Sequence, residues 1–221
     1  DDTARFIKQA SLKSASSWLT VLPIQDEGFA LHKTDFRDAL RLRYGLPIDN
    51  LPRICACGTN FDIDHAMICK KGGFVASRHD EIRDFLCKQF DLVCSDVCRE
   101  PMLQPLTGEH LPLKTANSTA NARLDITVRR FWSSTPQKAF FDVRVFYPHS
   151  PSYRDLTSDQ IFKRHEDEKK QECLERVLDV EHGTFTPLVS SSTGGASKES
   201  TVVLKMLAET INDKTGTNYS K

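Results

Sequence analysis

The sequence predicts an α/β fold, a sheet covered on its faces by helices, and three observations carry that expectation. Segments 123–129 and 138–147 alternate apolar and polar residues with the two-residue period of a strand, and a polar turn through Ser133, Ser134, Thr135 and Pro136 joins them. Segments 78–91 and 159–180, on either side of that pair, repeat apolar residues at helical spacing. From residue 78 the order therefore reads helix, three strands, helix, strand, helix, which is the mixed order of a sheet with helices packed on it.

The elements follow in turn. Residues 1–34 are weakly patterned, with Trp18, Leu19, Val21 and Leu22 before Pro23 forming one short buried segment and Phe29, Ala30 and Leu31 a second. Thr34 is placed to cap a helix over 35–44, whose apolar stripe is Phe36, Ala39, Leu40 and Tyr44 and whose stop is Gly45. Pro47 and Pro52 bracket a turn, and Lys70, Lys71, Gly72 and Gly73 make a loop. Ser77 with Asp80 resembles a capping box for helix 78–91, with His79, Ile82, Phe85, Leu86 and Phe90 on its inner face.

Segment 93–99 reads as a strand ending at Glu100 and Pro101, followed by a polar loop through Pro105, Gly108, Pro112 and Asn117. In the next strand Leu124, Ile126 and Val128 share one face, and Arg123, Asp125 and Thr127 the other. In the third, Phe141, Val143 and Val145 alternate with Asp142 and Arg144. Gly183 closes the charged helix, 184–190 is a short strand, and Val203, Leu204, Leu207 and Ile211 mark a last amphipathic helix over 199–213. The expected organisation is an N-terminal helical segment at 1–50, a metal knuckle at 51–75 and an α/β domain at 76–221.

Lysine plus arginine and aspartate plus glutamate each total 30, so net charge gives no overall signal for a polyanion. The local balance differs. Between Arg99 and Pro148 seven basic residues face four acidic ones, an excess of three positive charges around the acids Glu100, Asp125 and Asp142. That arrangement suits a polyanionic substrate held against a metal. Seven cysteines, three of them within fifteen residues, do not suggest a disulfide framework, so a reducing compartment is expected. No apolar run reaches membrane-spanning length, and the opening Asp1-Asp2 suggests a piece of a longer product.

Cys55, Cys57, His65 and Cys69 are the strongest motif. Three thiols and an imidazole supply the four borderline-soft ligands of tetrahedral Zn²⁺, and four protein ligands leave no open position, so the expected role is folding. The one-residue gap between Cys55 and Cys57 is tighter than the usual two to four. Buried free cysteines are the plainer alternative. Cys94 and Cys98, with apolar neighbours and no fourth ligand at sensible spacing, read as core or surface thiols.

Asp125 and Asp142 carry the catalytic expectation, because carboxylates on adjacent strands can hold a hard cation, Mg²⁺ or Mn²⁺. Glu100 is a candidate third ligand or water-orienting group, and the alternative is that these acids pair with Arg123, Arg129 or Arg144 on a solvated face. Lys169 sits among Phe162, Cys173, Val177 and Val180 on the apolar face of its helix, where a lysine needs a carboxylate or phosphate partner unless it snorkels to solvent. Arg78, Arg123 and Arg144 are candidate phosphate contacts, and His79 reads as a packing residue.

The order of knuckle, Arg-His at a helix start, two strand aspartates and a lysine-bearing helix resembles the C-terminal restriction-like, PD-(D/E)xK endonuclease region of non-LTR retrotransposon polyproteins, over about residues 18–195. The resemblance implies a restriction-endonuclease-like αβββαβ core and Mg²⁺-dependent nicking of target DNA, whose free 3′ hydroxyl would prime reverse transcription. It implies DNA as partner, element RNA through an upstream reverse transcriptase, and a nuclear setting. Cys55, Cys57, His65 and Cys69 match the family's knuckle, Asp125 and Asp142 its metal-binding aspartates, and Lys169 a catalytic lysine moved onto the helix; Glu100 matches loosely. Arg123-Leu124-Asp125 stands where the family has Pro-Asp, and Arg144 occupies the usual lysine position. The alternatives are a non-catalytic zinc-stabilised nucleic-acid-binding domain and an inactive remnant of an element.

Overall fold

The computed structural model of the chain describes residues 2–12, 15–25, 30–72, 74–132 and 135–216. Phe29, Gly73 and the turn residues Ser133 and Ser134 lie outside the described residues. Among those described, six α-helices accompany an open mixed sheet of four strands, so the α/β class holds. The chain divides into two compact units, Asp1–Ser77 with Val145–Ile161 and Ser191–Ala196, and Arg78–Arg144 with Phe162–Ser190 and Ser197–Lys221. Among the described residues no helix is long and apolar enough to cross a membrane.

The strands are β1 (Ser95–Arg99), β2 (Ile126–Arg129), β3 (Lys138–Phe146) and β4 (Thr184–Ser191), side by side in that order and almost wholly within the second unit. β2 pairs antiparallel with both β1 and β3. The helix α5 (Ser158–Asp179) connects β3 to β4, the kind of long crossover that strands running the same way require. Pro187 lies in β4 at the sheet edge, where a missing N–H is tolerated. β2 starts at Ile126 rather than at the expected residue 123; Arg123 makes only an isolated bridge to Met102.

Alternation along β3 sends neighbouring phenylalanines to opposite faces. Phe141 is fully buried and stacks on Phe90 of α4 (Phe74–Asp91) with ring centroids 4.9 Å apart. Phe140 packs on the other side with Leu103, Ala122, Leu124, Phe185 and, from α5, Cys173 and Val177. Gly183 closes α5 as expected, for a reason of space: a Cβ there would lie 2.8 Å from both the Lys138 carbonyl and the Phe140 ring. The last helix, α6 (Lys198–Thr215), buries Val203 and Leu207, whereas Leu204 is exposed.

α4 differs from expectation at its start. It begins at Phe74, so Ser77 lies inside the helix and does not cap it. Leu86 and Phe90 are buried as expected, but Phe85 is half-exposed and Arg83 takes its place inside, held by Asp80, Asp84 and Glu100. Apolar spacing locates a helix face; it does not see that a buried arginine with three carboxylates can share that face.

The first unit contains α1 (Asp2–Ala10), α2 (Lys33–Tyr44) and α3 (Ile63–Ile68). Gly45 ends α2 in the left-handed conformation as expected, but the N-cap is His32 rather than Thr34. The stripe read from the sequence is not the buried one: Phe36 and Tyr44 are largely exposed, and the buried residue of α2 is Arg43. Its guanidinium donates to the carbonyls of Ala10 and Ala15 and to the Ser16 hydroxyl. Leu19, Val21, Leu22 and Leu31 are also exposed, so the buried segment expected near residues 18–22 does not form; Phe29 of the second lies outside the described residues.

Candidate functional site: an acidic pair and a cysteine–histidine knuckle

Register decides the acidic site. β2 and β3 pair Ile126 with Phe141, Thr127 with Phe140 and Val128 with Ala139, so the next step of the same ladder sets Asp125 opposite Asp142. β1 pairs Arg99 with Ile126, and one step on the Glu100 amide donates to the Asp125 carbonyl at 2.8 Å. Asp125 and Asp142 thus stand opposite each other at the end of the β2–β3 ladder, where directly opposed side chains approach within about 5 Å, with the Glu100 backbone beside Asp125.

The three acids are held differently. Asp142 is buried, and the Lys169 ammonium lies 2.6 Å from its Oδ2. Helix and strand geometry explain the meeting. Val177 and Cys173 cover Phe140, and one helical step of four residues, about 6 Å, leads to Lys169. Two strand residues, about 6.7 Å, lead from Phe140 to Asp142. Lys169 also lies 3.5 Å from Glu172.

Glu100, by contrast, turns away. Its φ of 50°, in the left-handed region, breaks the strand conformation, and its carboxylate sits 2.5 Å from Arg83 and 3.8 Å from Arg123. A role as third metal ligand has no support in this geometry. The place near the pair goes to His79, expected to be a packing residue, whose Nε2 is 3.1 Å from Asp125 Oδ2. The Val143 amide donates to that same oxygen at 2.6 Å.

The charges are strongly coupled. Burial, with the like charge of Asp125 beside it, pushes the Asp142 carboxyl up to about 7 despite Lys169. Asp125 is held below the usual carboxylate range: burial would raise it, and the hydrogen bonds from His79, Asp142 and the Val143 amide outweigh that. Hydrogen bonding to Asp125 raises His79 to about 9. Burial would lower Lys169, but the Asp142 carboxylate outweighs it and the ammonium is held above its ordinary value.

Of the candidate phosphate contacts, Arg123 and Arg144 are exposed and Arg78 is half-buried, its pKa lowered by burial. The field of Arg144 reaches His165 and Glu168 on α5.

The knuckle is built locally in the first unit. A bridge between Ile54 and Asn60, with the Cys55 amide on the Thr59 carbonyl and the Gly58 amide on the Cys55 carbonyl, folds a tight turn that carries Cys55 and Cys57. Asp62 caps α3 through the His65 amide at 2.6 Å, and α3 carries His65 and ends at Cys69. The donor atoms of Cys55, Cys57, His65 and Cys69 all lie within 4.8 Å of one another, and no other such group of three or more ligating side chains occurs among the described residues.

The distances fit zinc. Cys55 Sγ and Cys69 Sγ are 3.8 Å apart, close to the edge of about 3.8 Å of a tetrahedron with Zn–S bonds of about 2.3 Å. Cys57 Sγ lies 3.2 Å from His65 Nε2. Hydrogen bonds from the Thr59 hydroxyl and backbone hold the Cys57 thiol down to about 6, toward the thiolate a metal needs. The Gly72 amide donates to Cys69 Sγ at 3.3 Å. These four residues can hold a metal ion such as zinc.

No known family model and no curated protein matches this chain.

The residue that sequence reading missed is His79. Its signal was present, a histidine on the inner face of an amphipathic helix next to Arg78, but nothing in the spacing joins residue 79 to residue 125. Cys94 and Cys98 are respectively half-buried and exposed, outside any ligand group among the described residues, as core or surface thiols would be.

Proposed function

We propose that the second unit is a metal-dependent endonuclease that nicks DNA, and that the chain derives from a non-LTR retrotransposon polyprotein of the restriction-like class. The observation that carries this reading is the meeting of Asp125, just before β2, Asp142 of β3 and Lys169 of α5 in one partly buried group. The order α4, β1, β2, β3, α5, β4 supports a restriction-endonuclease-like αβββαβ core. DNA as partner and a nuclear setting belong to the same proposal.

Asp125 and Asp142 would hold Mg²⁺ or Mn²⁺. The bound ion supplies Lewis acidity at the phosphoryl oxygen and lowers the pKa of a water. The chain's own residues do the rest. Asp142 would release its proton to solvent, and Lys169, no longer committed to Asp142 alone, would place its ammonium where negative charge builds on the phosphate. In the hydrolysis the water oxygen forms its bond to phosphorus as the bond to the leaving 3′ oxygen breaks. The proton lost by the water goes to solvent and the leaving oxygen takes one up, giving a free 3′ hydroxyl and a 5′ phosphate. Exposed Arg123 and Arg144 steer the duplex by its backbone without reading sequence.

Supercoiled plasmid incubated with the chain and Mg²⁺ tests the reading. Open-circular product that requires Mg²⁺ and disappears in Asp142→Ala is expected; product that persists in Asp142→Ala excludes this site. Retarded but uncut DNA, with a steep salt dependence, would instead favour a binding domain.

A further inference from the structure

We infer that His79 is a positioning residue for the metal site, fixing Asp125 so that one defined carboxylate oxygen is left for the ion; the inference rests on the nuclease reading. Oδ2 of Asp125 receives two donors, the Val143 amide at 2.6 Å and His79 Nε2 at 3.1 Å. An oxygen engaged twice in hydrogen bonds has little remaining capacity, so Oδ1 is the oxygen left to serve as a ligand atom. The two donors come from different elements, the backbone of β3 and the first part of α4, and together they fix both the rotation and the tilt of the carboxylate. The imidazole is itself braced on its other side by Asp80 Oδ1, 3.2 Å from Nδ1. A relay of Asp80, His79 and Asp125 therefore runs from the surface of α4 to the acidic pair. Outer-shell partners of this kind typically change metal affinity by about 10- to 100-fold when removed.

Among the described residues Asp142 has no equivalent pair of braces; its close partner is Lys169, a long and adaptable side chain. The site thus has one rigid ligand and one whose partner can yield as the cation arrives. His79 acts on the rigid one.

The test titrates Mn²⁺ into the full chain without DNA, reading free ion by electron paramagnetic resonance, for the wild type, His79→Ala, His79→Phe and His79→Gln. The knuckle is kept loaded with zinc throughout. His79→Ala and His79→Phe are expected to weaken Mn²⁺ binding about 10- to 100-fold, and His79→Gln, whose amide can still donate to Oδ2, to recover a substantial part. In parallel, the Mg²⁺ concentration giving half-maximal nicking should rise in step, with the rate at saturating Mg²⁺ largely restored. Unchanged Mn²⁺ affinity in His79→Ala or His79→Phe, with the wild type binding and nicking, overturns the role of His79 and leaves the nuclease reading standing. A wild type that binds no Mn²⁺ outside the knuckle overturns both. If His79→Ala does not fold, the contrast between His79→Phe and His79→Gln decides the matter equally well, since only the second keeps a donor.

Discussion

The knuckle and the acidic site solve the same problem, holding groups together that would otherwise stay apart, over different lengths of chain. The four knuckle ligands lie within residues 55–69, and one turn plus the short helix α3 place them. The acidic site gathers residues 79, 142 and 169 from three elements and residue 125 from just before β2, and its geometry exists only when the register of β2 on β3 and the packing of α5 on Phe140 are both in place. The first is a local structure whose four side chains can hold a metal ion. The second is a tertiary structure that buries charge and offsets the cost by pairing opposite signs.

That contrast makes the largest expected effect a loss of folding. Four-ligand structural zinc contributes about 10–16 kcal/mol in small domains, so chelation or Cys69→Ser should abolish the cooperative unfolding of the first unit. Scanning calorimetry beside elemental analysis checks it; an unchanged transition with no zinc present would erase the comparison by removing its first member. Next comes Lys169→Met, which keeps the apolar stem of the side chain and deletes the charge. Nicking should fall about 10²-fold, the usual loss for one electrostatic stabiliser, with zinc content unchanged.

A smaller effect comes from His79. Its folded pKa of about 9 exceeds the ordinary 6.5, so its contribution to stability is complete below pH 6.5 and disappears as pH rises through 9. The gap in thermal midpoint between the wild type and His79→Gln should therefore be a few degrees at pH 6 and close toward pH 9.5, followed by circular dichroism. A gap constant over that range would show that the imidazole is not charged against Asp125. The smallest effect is Glu100→Gln: its carboxylate is committed to Arg83, so nicking should stay within about threefold of wild type. A loss as deep as that of Asp142→Ala would return Glu100 to the ligand set.

What the sequence made legible follows the same division. The knuckle could be read from spacing alone because local chain geometry dictates it. The α/β class and most elements of the second unit were legible because Phe141, Phe90 and Val177 mark faces by periodicity. Asp125 and Asp142 were named as candidates, yet their opposition depends on a register that no local pattern states. The buried arginines were invisible for a related reason. Arg43, Arg83 and Arg176 each satisfy partners distant in sequence, Arg176 through the carbonyls of Gln104, Asn117 and Thr119. Composition scores such residues as surface. The first unit was misread for the opposite reason: its exposed Phe36, Tyr44, Leu22 and Leu31 carry the apolar signal of a core they do not join.

The central claim is that Asp125 and Asp142 together bind a divalent cation. Anomalous diffraction from crystals soaked in Mn²⁺ tests it most directly. A manganese peak bonded to Asp125 Oδ1 and to Asp142, with the Lys169 ammonium moved off the carboxylate, is the predicted result. Zinc at the four knuckle ligands, no manganese at the aspartates and an intact contact between Lys169 and Asp142 would contradict it.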